Sequence, residues 1–158
     1  RGLRGLGRRG TGGERRAALD VGVGVKGRVL HSGVARGRAL VLTHPLSFWG
    51  GVDASAGTVS DPRHPQHGAV ITDRVLVLPA TVGSSSSSAI MLELLRQGTA
   101  PAAILLGHVD AILPLGVVVA SELGHPTIPV LEVPVSALAS IPDGAEVTIG
   151  PEGSIALG

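Results

Sequence analysis

The segment Arg74–Leu106, RVLVLPATVGSSSSSAIMLELLRQGTAPAAILL, decides the fold. Arg74–Pro79 is a continuous apolar run, the pattern of a strand covered on both faces. Ala89–Arg96 reads as a helix, because Leu92, Leu95 and Ile90 or Met91 share one face at i, i+3, i+4 spacing. Gly98 reads as its C-terminal stop. Ala102–Leu106 is the next buried strand. A buried strand, a helix and a second buried strand form a βαβ unit, whose strands run parallel.

Downstream, Leu113–Leu123 reads as a second helix, with Pro114 tolerated in its first turn and Gly124 at its end. Ile128–Val133 reads as a further strand, interrupted by Pro129. Asp143-Gly144 marks a turn. Glu146–Ile149 and Ser154–Leu157 then read as a closing hairpin around Glu152-Gly153. Upstream, Lys26–His31 and Arg38–Leu42 read as two short strands joined around Gly33–Gly37 in a hairpin or meander. His44-Pro45 ends the second of them, since proline cannot donate to a ladder. The order β-β-loop-β-α-β-α-β-β-β predicts an α/β domain. A short parallel sheet carries helices, and the flanking hairpins predict a second, antiparallel β layer.

Composition narrows the class. The chain has 158 residues, of which 44% are hydrophobic and only 1% aromatic. The length suits one domain with one core. That core must be aliphatic. There is no cysteine, which excludes disulfides and any thiolate metal or iron–sulfur site made by this chain alone. A cytoplasmic setting fits. The longest candidate span, Ala111–Leu123, is broken by Pro114 and Gly116 and falls short of the ~20 residues a membrane helix needs. Basic charge is concentrated at the start, where Arg1, Arg4, Arg8, Arg9, Arg15 and Arg16 outnumber Glu14 and Asp20. Residues 1–22 read as a disordered basic leader and 23–158 as the folded domain. An arginine tail suits nucleic acid, but the remainder is slightly acidic, so no nucleic-acid partner is expected.

Three segments offer chemistry. The first is Gly83-Ser84-Ser85-Ser86-Ser87-Ser88, which follows a buried strand and opens a helix. The first N–H groups of a helix lack intrahelical partners and carry partial positive charge. Serines there either cap the helix or face an anion. The second is Pro45-Leu46-Ser47-Phe48-Trp49-Gly50-Gly51-Val52-Asp53, in the long irregular stretch His44–Gly68. Gly50 and Gly51 let backbone approach a ligand closely; the aromatic pair could equally plug the open end of the sheet. The third is Asp61-Pro62-Arg63-His64-Pro65-Gln66-His67-Gly68. Its two prolines prevent the helix that would align His64 and His67 on a metal. Arg63 with a histidine suits a substrate carboxylate or phosphate better, and the loop could also simply rigidify itself. His31, His44, His108 and His125 are isolated and read as surface or strand-end residues.

Taken together, PLSFWGGVD, DPRHPQHG, VLVLP…GSSSSSAI and TAPAAIL resemble aconitase X, in particular its small-subunit or swivel domain. The similarity runs from about Gly27 to the C-terminus. It implies the swivelling β/β/α fold and a hydro-lyase built from a large and a small part. It implies an iron–sulfur cluster held by the partner large subunit through cysteines, with no metal on this chain. It also implies that the first serine after the glycine, Ser84, takes the proton from carbon. Gly83, Ser85, Ser86, Ser47, Trp49, Gly50, Gly51, Arg63, His64 and His67 are then candidates to bind substrate. Two departures stand out. Many relatives are expected to carry a basic residue where this chain has Val82, and an acidic one where it has His44. Within the family, two substrates compete: cis-3-hydroxy-L-proline, which the Gly-, Ala- and Arg-rich composition and the FWGG and five-serine variants favour, and phosphomevalonate. A reading from another class is a non-catalytic module that binds an anionic metabolite at the helix start.

Overall fold

Residues 24–108 and 110–158 are described by a computed structural model. The basic leader expected at residues 1–22 lies outside them. The strands are β1 (Val25–Lys26), β2 (Arg28–His31), β3 (Ala35–Val41), β4 (Val52–Asp53), β5 (Thr58–Val59), β6 (Val75–Leu78), β7 (Ala103–Leu106), β8 (Val130–Glu132), β9 (Glu146–Ile149) and β10 (Ser154–Leu157). The helices are α1 (Phe48–Gly51), a single kinked turn, α2 (Ser87–Gln97), α3 (Ile112–Glu122) and α4 (Val135–Leu138).

The strand order is β1-β10-β9-β3-β6-β7-β8-β2. The strands β3, β6, β7 and β8 are parallel. β9 runs antiparallel to β3, as do β10 to β9 and β1 to β10. β3 belongs to both halves. Its residues 35–38 pair with β9 and its residues 39–41 with β6.

Side chains alternate between two cores, as the period of a strand requires. Leu40, Leu76, Leu78, Ile104, Leu106 and Val130 point to one face and pack with Met91, Leu94 and Leu95 of α2 and Leu113, Val117 and Ala120 of α3. Ala39, Val75, Val77, Ala103, Leu105 and Leu131 point to the other. There they meet Val147, Ile149 and Ile155 of the antiparallel strands and Leu138 of α4. The result is β on β on α. The continuous apolar runs of β6 and β7 are explained by this, for they are buried on both faces. α2 and α3 pack closely because Gly116 has no side chain; a Cβ there would strike the Ser88 carbonyl and come within 2.9 Å of the Met91 Cβ.

The expected layers are present, but the sheet separates two cores where one was expected, and the strands join differently. The segments Lys26–His31 and Arg38–Leu42 do not form a hairpin. β2 pairs with β8 at the far edge of the parallel sheet, while β3 pairs with β9 and β6. Local spacing suggested neighbours, but both strands find partners far along the chain. The first segment is also split, into β1 and β2, and the second starts earlier, at Ala35. The strand expected at Ile128–Val133 shrinks to Val130–Glu132, consistent with Pro129 lacking a donor. α4 was not anticipated, since four residues are too few to show a period. The stretch His44–Gly68 holds α1 and the small β4–β5 pair.

Candidate functional site

Parallel strands deliver their connecting loops to one edge, and ligands of α/β folds bind beyond the carboxyl ends of such strands. Here β3 leads into Leu46–Trp49, β6 into Thr81–Ser84, and β7 into Asp110–Ile112. The first two loops are stitched together. Leu46 N–H donates to the Ala80 carbonyl at 3.2 Å, and Val82 N–H to the Leu46 carbonyl at 3.1 Å. The second and third are joined by the Thr81 hydroxyl, which donates to Asp110 Oδ2 at 2.5 Å. An open cleft of roughly 340 Å³ lies between them, lined by Thr81, Val82, Gly83, Ser84, Ser87, Asp110, Ala111 and Ile112.

Gly83 sits at the corner with φ of +102°, and a Cβ on it would lie 2.6 Å from Ser47 Oγ. Only glycine fits both the backbone and the close approach. Ser47 in turn donates its hydroxyl to the Trp49 carbonyl at 2.8 Å. Phe48 is buried, whereas Trp49 is 54% exposed, so the aromatic pair divides between plug and surface. Gly50 is exposed and Gly51 buried.

Ser84 is exposed. Its Oγ accepts the Ser86 N–H at 3.1 Å, and its carbonyl accepts the Ser87 N–H at 3.0 Å. Ser86 occupies the N-cap position of α2, without a capping bond from its own hydroxyl. Ser88 donates to the Ser85 carbonyl at 3.1 Å, and Ser87 is buried against the cleft. The serine run is thus a tight turn leading into the helix, with Ser84 at its open end.

The loop Asp61–Gly68 folds onto the end of β3. Gln66 Oε1 accepts the Thr43 N–H at 2.9 Å, and its amide donates to the Val41 carbonyl at 2.5 Å. His64 is buried, at 7% exposure. The Gln66 N–H donates to its Nδ1 at 3.0 Å, so the ring proton is on Nε2, which faces the His44 carbonyl at 3.3 Å. Arg63 is exposed, and its Nε lies 3.4 Å from Asp61 Oδ1. The Arg63 backbone N–H, above all, holds the Asp61 carboxyl below its usual range. His67 is exposed. The structure therefore brings Gly83 and Ser84 to the cleft, with Ser47 packed behind the corner. Arg63, His64 and His67 are not among the residues lining it.

Sequence reasoning missed Asp110. Its Oδ1 accepts the Ile112 N–H at 2.8 Å, at the start of α3. An Asp just ahead of an apolar helical run is a recognised start signal. Its partnership with Thr81 spans 29 positions and leaves no local trace.

Comparison with known proteins agrees with this fold. The family described as "Aconitase X swivel domain" matches residues 24–157. A cis-3-hydroxy-L-proline dehydratase of Pseudomonas aeruginosa is 45% identical over 103 residues, 65% of this chain but only 18% of that protein. A phosphomevalonate dehydratase small subunit of Methanosarcina acetivorans is 36% identical over 138 residues, 87% of this chain and 92% of that one. The crystal structure of Thermococcus kodakaraensis aconitase X in its holo-form superposes with a TM-score of 0.74 at 31% identity, covering 84% of this chain and 96% of that one.

Proposed function

This chain belongs to the aconitase X swivel domain family, and from that premise we propose that it is the small subunit of a dehydratase, active when a large aconitase X subunit covers the cleft at Ser84. The observation that carries the reading is the placement of the Ser84 hydroxyl. It stands at the mouth of a cleft beyond the parallel strands and accepts the Ser86 N–H. A serine hydroxyl is far too weakly acidic to lose its proton unaided at neutral pH. A backbone donor and the start of an 11-residue helix both favour its anion, and more so once water is excluded. In this reading the Ser84 alkoxide takes a proton from the substrate carbon. The C–H electrons become the new C=C bond as hydroxide leaves.

The residues of this chain do not fit an iron–sulfur cluster. It has no cysteine, and no three His, Asp or Glu side chains converge among the described residues. The cluster implied by the family is therefore assigned to the large subunit, and this chain contributes the proton acceptor. An apolar stripe supports a covering partner. Leu115, Val118 and Val119 of α3, which begins at the cleft, and Leu123 just past its end are exposed. A helix apolar on both sides calls for a second covering surface.

The substrate assigned is cis-3-hydroxy-L-proline. No Lys, Arg or His is among the described residues lining the cleft, so a phosphate would find no counter-charge on this side. Phosphomevalonate is the second reading. It is favoured by the small-subunit relative matched over 92% of its length. No helix among the described residues is long and apolar enough to cross a membrane, and we assign a cytoplasmic setting.

The test is reconstitution with the cognate large subunit, followed by assay of both substrates. The chain alone is expected to be colourless and inactive. Tight binding of substrate by the isolated chain would instead support a binding module, and near-full activity of Ser84→Ala would remove Ser84 from the reaction.

A further inference from the structure

Asp110 is the one ionisable side chain among the described residues lining the cleft around Ser84. It is half-buried. Its two oxygens are held by separate elements, Oδ1 by the Ile112 N–H and Oδ2 by the Thr81 hydroxyl. These bonds fix its orientation without neutralising it. None of the ion pairs among the described residues involves it. Each carboxylate oxygen retains a second acceptor site. A fixed, unpaired negative charge beside an open cleft attracts cations and repels anions, so it opposes the Ser84 alkoxide until a bound cation pairs with it.

We infer that Asp110 is a specificity residue, which binds the protonated ring nitrogen of a cyclic amino acid and selects such substrates over phosphorylated ones. The inference rests on the dehydratase reading above and names the group that recognises its substrate. In cis-3-hydroxy-L-proline the carbon that loses its proton is bonded directly to that nitrogen. A base and a nitrogen-binding carboxylate must therefore share one cleft, as Ser84 and Asp110 do.

The experiment uses the complex of the full chain with its large subunit. Asp110→Asn keeps a carbonyl oxygen as acceptor and removes the charge. We expect KM for cis-3-hydroxy-L-proline to rise about 10–100-fold, the value of a charged hydrogen bond, with kcat within about threefold by the same reasoning. L-proline should weaken as a competitive inhibitor by a similar factor. Cyclopentanecarboxylate, which has the ring and carboxylate but no nitrogen, should inhibit wild type and variant alike. Equal loss for both inhibitors, or loss for neither, overturns the inference and leaves the dehydratase reading standing. If the wild-type complex turns over phosphomevalonate and not hydroxyproline, the substrate reading fails and the inference falls with it. If Asp110→Asn does not fold, Asp110→Glu decides: it should retain a preference for L-proline over cyclopentanecarboxylate, and losing that preference overturns the proposal.

Discussion

Two polar loops sit beyond the carboxyl end of the same sheet, and they use their polar atoms differently. In Asp61–Gly68 three polar side chains, Asp61, His64 and Gln66, are engaged with backbone, while Arg63 and His67 are exposed. Gln66 braces the end of β3, His64 has both ring nitrogens facing backbone, and Asp61 accepts from Arg63. At Gly83–Ser88 the Ser84 and Ser88 hydroxyls bond only within the turn, and the Ser84 hydroxyl also borders an open cleft. Richness in His, Arg and Asp therefore does not by itself say which groups border the cleft.

The comparison is broken most decisively at Ser84. Ser84→Ala should lower turnover in the assembled complex by about 10³-fold, within the range of a lost general base, while the melting temperature falls only slightly, because the lost bond from the Ser86 N–H is exposed and water replaces the acceptor. Activity assays beside calorimetry would show it. Gly83→Ala comes next. Its Cβ would press on Ser47 Oγ in a backbone region unsuited to alanine, and the shifted Ser84 should cost about 10–100-fold in turnover together with about 1–3 kcal/mol of stability. In the other loop the effects should be structural. His64→Ala strands the Gln66 N–H and the His44 carbonyl, for a loss of about 1–3 kcal/mol in denaturant unfolding, with KM little changed. Arg63→Ala should leave KM within about twofold, since exposed ion pairs such as Arg63–Asp61 are weak; a much larger rise would return this loop to the substrate site.

The smallest effect is a pH dependence away from both loops. The Arg96 guanidinium, then the Gln97 amide, hold the Glu93 carboxyl down from 4.5 to about 2. A depressed carboxylate stabilises the fold above its unfolded value, and that contribution fades as pH falls from 4.5 toward about 2. Glu93→Gln should therefore melt slightly below wild type at neutral pH, with the gap closing across that acid window.

Much of the architecture was legible in the chain. β6 and β7 announced themselves because strands buried on both faces read as unbroken apolar runs. The α2 start was marked by its serines and its end by Gly98. The misreading of β2 and β3 as a hairpin arose because pairing is not a local property. His31 at the end of β2 donates through Nδ1 to the Ile128 carbonyl, 97 positions away. Asp110 stayed hidden for a similar reason, since its meaning depends on Thr81 and on the cleft they share.

By itself the sequence determined the layers, the aliphatic core and the strand-to-helix corner that carries Ser84. Those follow from hydrophobic period and from helix-start chemistry, which act over a few residues. Only the tertiary structure decided which strands became neighbours, which loop closed on itself and which charge faced the cleft. Each of those depends on polar groups finding partners far along the chain, and only the folded chain pairs them.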